Sequence, residues 1–169
     1  ELEHAHYPDI EFILQRTPAG SITPVAPAAL AEADAVINYS ATQFVGATPD
    51  EFAKARVAVR AGVGFDNLDL AGWGAKGVPV CNVPDYGTTE VADHAIGLLL
   101  ALTRGTSAYA HSLIEGGPRN WHFSNAPLVR RHRGAVFGVI GLGRIGLAAA
   151  RRAAAFDMKV VFFDPYLSN

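Results

Sequence analysis

Residues 135–165 read AVFGVIGLGRIGLAAARRAAAFDMKVVFFDP, and this stretch decides the fold. A short apolar run, Ala135 to Ile140, meets a turn that carries Gly141, Gly143 and Gly146. An alanine-rich segment of helical composition follows. A second apolar run, Lys159 to Phe163, then ends at Asp164. Strand, glycine turn, helix and strand in that order make one β-α-β unit, whose two strands lie parallel.

Each residue type in the turn has a physical task. Gly141 permits the tight turn off the strand. Gly143 lets backbone approach a diphosphate with no Cβ in the way, and Gly146 lets the helix pack close to the sheet. The turn as a whole, Gly141, Leu142, Gly143, Arg144, Ile145 and Gly146, leads into a helix amino end. That end offers unpaired N–H groups and a positive dipole to phosphates. Asp164 lies 18 positions after Gly146, close to the spacing of about 20 at which an acid receives the ribose hydroxyls. Its charge repels a 2′-phosphate, so the expected cofactor is NAD rather than NADP. The glycines alone are a weak signal. The strand before, the helix after and the acid beyond give them weight.

The chain's 169 residues leave room for one ordinary domain or two small parts. Half are hydrophobic and 18% are charged, which favours a packed core over disorder. A net charge of −2 and the lack of a long basic stripe argue against a nucleic-acid partner. The densest apolar stretch, Ala95 to Leu102, is too short to span a bilayer. The opening ELEHAHYPDI lacks the apolar region of a signal peptide. The single cysteine, Cys81, excludes an internal disulfide framework and suits a reducing compartment. These features together predict a cytoplasmic protein with no membrane partner.

The rest of the chain repeats the strand-loop-helix order. Glu1 to His6 reads as a helix end, Ile10 to Gln15 as a strand and Thr17 to Pro27 as a loop. Ala28 to Ala33 reads as a short helix and Ala35 to Asn38 as a buried strand, followed by Tyr39 and Ser40. A short helix over Pro49 to Lys54 and a strand over Arg56 to Arg60 come next. In the loop AGVGFDNLDL (61–70), glycines on both sides of Val63 let successive N–H groups converge into an anion nest. Asp66 or Asn67 is expected to cap a helix that runs to about Lys76 and ends at Gly77. Val78 to Cys81 is a further strand. Thr88 or Thr89 is expected to cap a long helix, with Val91, Ala95, Leu98, Leu99 and Leu102 on one face. It continues past a break at Gly105 to Glu115. The repeated pattern predicts an α/β fold with parallel sheets.

Several residues have plain structural readings. His94 stands beside Asp93, but adjacent helical residues do not face each other. His4 and His6 have no further ligand nearby in sequence to complete a metal site. His111, His122 and His132 read as solvated, as does the basic cluster Arg130-Arg131-His132-Arg133. Cys81 reads as a small buried hydrophobe, and Trp73 and Trp121 as packing residues. Arg60 borders the nest and has two readings: it assists an anion, or it pairs with Asp66 or Asp69.

Four motifs stand in order: VRAGVGFDNLDL (59–70), CNVPDYGTTEVADHAIGLLLALTR (81–104), GVIGLGRIG (138–146) and AFDMKVVFFDPYLS (155–168). Together they resemble the D-isomer-specific 2-hydroxyacid dehydrogenase family, with a nearer likeness to its phosphoglycerate-dehydrogenase and C-terminal-binding-protein branches. The resemblance implies a flavodoxin-like substrate domain over residues 1–86 without its first strand. It implies a linking helix and the start of a Rossmann NAD-binding domain over 87–169. It implies hydride transfer between C2 of a small 2-hydroxy or 2-keto acid and the nicotinamide, and a homodimer built around the Rossmann part. Val63 and Gly64 match the nest that meets the substrate carboxylate, and Tyr39 and Ser40 match the other substrate-side loop. Val63 and Val91 match places that touch the cofactor. A second function stays open on the same frame, an NAD-responsive dimeric scaffold, and a third is formate or phosphite oxidation.

The family's catalytic arginine, acid and histidine lie in motifs beyond the Asp-Pro pair, whereas this sequence ends at Asn169. The chain reads as an internal piece of a longer protein. Purified 169-residue material is expected to form no NADH above blank with a panel of D-2-hydroxy acids, followed at the nicotinamide absorbance. Measurable turnover would contradict that reading.

Overall fold

The computed structural model describes residues 6–13, 26–39 and 49–167, and every strand among them belongs to one of two parallel sheets. The chain divides into two compact units, Glu1–Asp85 and Tyr86–Asn169, each with its own sheet. Among the described residues no helix is long and apolar enough to cross a membrane.

In the first unit α1 (Pro27–Glu32) starts on a proline, whose missing N–H has no helical partner at that position anyway. Strand β1 (Ala35–Asn38) pairs with β2 (Val57–Arg60), and β2 pairs with β3 (Val80–Asn82). Helix α2 (Leu70–Ala75) is the crossover between β2 and β3. The core is formed by Val36, Phe52, Ala55, Ala58, Trp73 and Val78. Trp73 is 2% exposed, and its ring tilts against Phe52 with centroids 5.5 Å apart. Lys76 locks the end of α2 onto the short turn of 3₁₀ helix at Pro49–Glu51. Its Nζ donates to Pro49 O at 2.7 Å and to Phe52 O at 2.9 Å.

Several local expectations are corrected here. Residues 10–13 join no ladder: Ile10 closes a turn onto Tyr7 O instead, and Ile10 and Ile13 are exposed. The remainder of that expected strand lies outside the described residues. The segment that starts at Pro49 forms one 3₁₀ turn rather than a helix to Lys54. The cap of α2 is Asp69, whose Oδ1 accepts from Gly72 N at 2.9 Å. The helix begins at Leu70, so Asp66 and Asn67 lie too far upstream to reach its first amides. Cys81 is exposed, because in β3 it is the flanking residues that turn inward.

The second unit holds α3 (Thr88–Thr103), α4 (Thr106–Gly116), β4 (Val136–Ile140), α5 (Arg144–Ala154) and β5 (Lys159–Phe163). Strands β4 and β5 run parallel, in register from Val136 opposite Lys159 to Ile140 opposite Phe163. Helix α5 is their crossover, as the sequence order requires. Helix α3 packs on α5. The buried residues of the two helices are mostly small: Ala92, Ile96 and Thr103 on α3, and Ala149, Ala150 and Ala153 on α5. Small side chains let two helix backbones come close and so gain dispersion contacts along their length. The larger residues of the expected face, Val91, Leu98 and Leu102, stay exposed.

Asp93 reaches Arg152 Nε at 2.5 Å across that helix pair, which explains the acid without a role for His94. The N-cap of α3 is Gly87 with no side-chain bond, and Thr88 and Thr89 already lie inside the helix. Gly105, at φ 68°, separates α3 from α4 in the left-handed conformation that glycine adopts without strain. His132 is half-buried rather than fully solvated. Its Nε2 meets Thr103 Oγ1 at 2.5 Å, and its ring stands edge-on to Phe156. Trp121 stacks on Tyr109 but is 62% exposed.

Asp69→Ala removes the acceptor for Gly72 N, and a lost N-cap lowers stability by about 1 kcal/mol. Urea unfolding followed by far-UV circular dichroism should show that loss for Asp69→Ala and a much smaller one for Asp66→Ala. Equal losses would return the cap to the upstream acid.

Candidate functional site

The glycine turn between β4 and α5 is built by two backbone constraints. Gly141 sits at φ 88°, a conformation open to glycine and rarely to other residues. Its N–H still donates to Phe163 O at 2.8 Å, so the turn leaves directly from the end of the ladder. A Cβ on Gly146 would overlap the carbonyl of Gly141. The first turn of α5 therefore lies directly on the strand exit, with room there for hydrogen only.

Gly143 differs from both. Its φ of −69° suits any residue, and a Cβ there would meet no atom within 4 Å. Among the described residues nothing within 4 Å calls for glycine at this point. It stands at the N-cap of α5 with no side-chain cap, beside open space. Leu147 N donates to Gly143 O at 2.9 Å, which closes the first helical turn. The amides of Ile145 and Gly146 precede that bond and have no carbonyl one turn behind them. The arrangement is an uncapped helix amino end with its approach kept clear, and such an end attracts anions.

Asp164 stands just beyond β5 and reaches over this turn. Its Oδ2 accepts from Leu142 N at 2.7 Å and its Oδ1 from Tyr166 N at 2.9 Å. Leu142 serves the site through this bond, because its N–H holds the carboxylate and is not available to a phosphate. Each carboxylate oxygen keeps a further lone pair for an incoming hydroxyl. Arg144 and Ile145 lie exposed on the first turn of α5. Val91 N donates to Gly87 O at 3.0 Å, so what Val91 offers outward is its half-exposed side chain.

The first unit carries the second candidate site, at the carboxyl ends of its strands. Parallel strands bring those ends to one side of the sheet, where ligands of open α/β sheets bind. Ala61 N donates to Asn38 O at 2.8 Å, which brings the start of the 61–64 loop next to Tyr39 at the end of β1. The Tyr39 side chain is exposed, and Ser40 lies outside the described residues. Among the described residues neither Val63 N nor Gly64 N donates a hydrogen bond. The carbonyls before them are both held from β3 and the residue after it. Gly62 O accepts from Val83 N at 3.1 Å, and Val63 O accepts from Asn82 Nδ2 at 2.9 Å.

Arg60 lies against this loop, with one terminal nitrogen 2.6 Å from where a Cβ on Gly62 would be. Its Nε is buried without a partner, and it pairs with neither Asp66 nor Asp69 among the described residues. Asp69 is engaged by the helix cap. The carboxylate of Asp66 approaches Gly64 from its Cβ side, 3.2 Å from the Cβ position. Of the two readings that the sequence left for Arg60, the ion pair is not made.

A sequence model described as the D-isomer specific 2-hydroxyacid dehydrogenase, catalytic domain, matches residues 1–164. This chain belongs to the D-isomer-specific 2-hydroxyacid dehydrogenase family. Among curated members of the family, D-3-phosphoglycerate dehydrogenase of Mycobacterium tuberculosis (strain ATCC 25618 / H37Rv) is 41% identical over 141 residues. That match covers 83% of this chain and 26% of the relative. D-3-phosphoglycerate dehydrogenase of Methanocaldococcus jannaschii is 37% identical over 136 residues, covering 80% of this chain and 25% of the relative. The chain thus spans about a quarter of the curated family members that it matches.

Among solved structures, D-lactate dehydrogenase from Aquifex aeolicus, complexed with NAD and lactic acid, superposes with a TM-score of 0.81. It covers 99% of this chain and 48% of that one, and at 23% identity it shows the shared fold alone. NAD-dependent formate dehydrogenase from Staphylococcus aureus, in complex with NAD, has a TM-score of 0.66 and 30% identity over 83% of this chain and 42% of that one.

Two of the three turn glycines make contrasting stability predictions. Gly146→Ala drives a methyl into Gly141 O and should cost about 1–3 kcal/mol, the usual range for overpacking. Gly143→Ala should stay within about 1 kcal/mol of the parent, the poorer cap being offset by lower unfolded-chain entropy. Thermal melts of the two variants measure the contrast, and equal losses would mean that crowding does not explain Gly146.

Proposed function

We propose that the chain is the amino-side portion of an NAD-dependent oxidoreductase acting on D-2-hydroxy acids. Gly143 carries this reading. It is a glycine that no protein contact explains, set at an uncapped helix start and overlooked by a tethered acid. The curated relatives named D-3-phosphoglycerate dehydrogenase support it, as does the S. aureus formate dehydrogenase solved with NAD.

In this reading the residues present fit NAD. The diphosphate lies over Gly143 against the amides at the start of α5, and the helix dipole favours its charge. Asp164 accepts from the adenosine ribose hydroxyls while Leu142 N holds it in place. A 2′-phosphate brought to the same place would meet a carboxylate whose position is fixed from two sides. NAD, when bound, supplies the hydride acceptor for C2 of the hydroxy acid. The acid's carboxylate is received by Val63 N and Gly64 N, with the Arg60 guanidinium adding positive charge beside them. Tyr39 and Ser40 complete the substrate side, and the exposed side chain of Val91 contributes apolar contact to the cofactor. The partner molecule is a small 2-hydroxy or 2-keto acid. A homodimer in the cytoplasm is the proposed assembly, supported by the exposed Leu98 and Leu102 on α3.

NAD and NADP titrations by calorimetry test the cofactor assignment. Gly143→Ala should keep its melting temperature and lose NAD affinity by about tenfold or more, the factor expected when one backbone-phosphate approach is blocked. Asp164→Ala should weaken NAD and narrow its advantage over NADP. An unchanged NAD/NADP ratio would remove the ribose role from Asp164, and unchanged affinity in Gly143→Ala would remove the diphosphate from this turn.

A further inference from the structure

We infer that Asn82 is a positioning residue for the carboxylate nest: its side-chain amide fixes the direction of the Gly64 N–H. The inference rests on the proposed role of Val63 and Gly64 and deepens it.

In a trans peptide the carbonyl of one residue and the N–H of the next point in opposite directions. All described peptides of the chain are trans. Whatever holds a carbonyl therefore aims the following amide the other way. Val83 N donates to Gly62 O at 3.1 Å, and that bond aims Val63 N–H away from the residue after β3. Asn82 Nδ2 donates to Val63 O at 2.9 Å, and that bond aims Gly64 N–H away from the strand end itself. Two successive carbonyls thus turn toward the end of β3, and two successive amides turn to the opposite side. Neither amide has an acceptor among the described residues.

The two restraints differ in kind. The bond to Gly62 O comes from backbone and survives any side-chain change at position 82. The bond to Val63 O comes from the Asn82 side chain alone. Its orientation is set by chemistry, because a carbonyl oxygen only accepts and the amide must turn its NH₂ to it. The ladder fixes where the side chain starts, since Asn82 pairs in register with Arg60 on β2. One strand pair therefore supplies the cation beside the nest from β2 and the clamp that shapes it from β3. A glycine on the far side of the clamped carbonyl makes the clamp necessary, because Gly64 has no side chain to restrict its own peptide plane.

Oxalate, a small dianion with the carboxylate geometry of a 2-keto acid, is a suitable probe for the full 169-residue chain. In amide NMR titrations of the parent chain, Val63 and Gly64 protons should both move with a common dissociation constant. In Asn82→Ala the Val63 proton should still respond, the Gly64 proton should lose its response, and affinity should fall by about tenfold, as for one missing hydrogen bond to a charged group. General damage to the sheet would move both amides alike, so the split between them separates positioning from structural support. The uncharged, near-isosteric Asn82→Leu keeps the volume and removes the donor. It carries the same test should the alanine variant lose the dispersed amide pattern of β1–β3. An undiminished Gly64 response in either folded variant would overturn the role of Asn82 and leave the nest standing. No response at either amide in the parent chain would overturn the nest and, with it, the role of Asn82.

Discussion

Only a hydrogen atom fits between the first turn of α5 and the carbonyl of Gly141, and much of the second unit follows from that. Because the helix starts so low, its unpaired amides emerge beside the strand tips rather than above them. Because Gly141 N stays in the ladder with Phe163 O, the next strand ends level with the turn. Asp164, one residue beyond β5, then lies within reach of Leu142 N. Small residues continue along the face that Gly146 begins, since Ala149, Ala150 and Ala153 stand three, four and seven positions further on and are buried.

The two candidate sites share a principle although they lie in different units. In each, backbone carbonyls or side-chain oxygens are tied on one side and amides are left over on the other. At the turn before α5 the helix geometry leaves the amides over. At the 61–64 loop no helix does so, and the carbonyls are held from the end of β3 by Val83 N and Asn82 Nδ2. An anion binds well where donors are fixed beforehand, since no reorganisation is needed on its arrival.

The strand-turn-helix-strand order was readable because each part is local. Glycines at a turn, an alanine-rich helix and an acid beyond the second strand are short-range features, and β4, α5 and β5 form where they predict. The family likeness was readable for the same reason, from motifs that are each contiguous. Less was readable wherever neighbours compete. Asp66, Asn67 and Asp69 are all good caps, and only the starting point of α2 selects Asp69. Periodicity on α3 marks a stripe of large apolar residues but does not say which stripe meets α5, and the small-residue side wins because it permits the closer approach. The strand expected from Ile10 finds no ladder among the described residues. The clamp by Asn82 was out of reach, since nothing in a sequence says which carbonyl a strand-end amide will find.

The tether on Asp164 has a consequence for how such a site can change. In its proposed role Asp164 would receive a sugar with the same two oxygens that tie down the loop at Leu142 and the chain at Tyr166. Selectivity and rigidity would then be carried by one side chain, and replacing it would alter both at once. A descendant that adopted a phosphorylated coenzyme would need a second anchor for the loop in place before the acid was lost, or would pass through an intermediate with a slack turn.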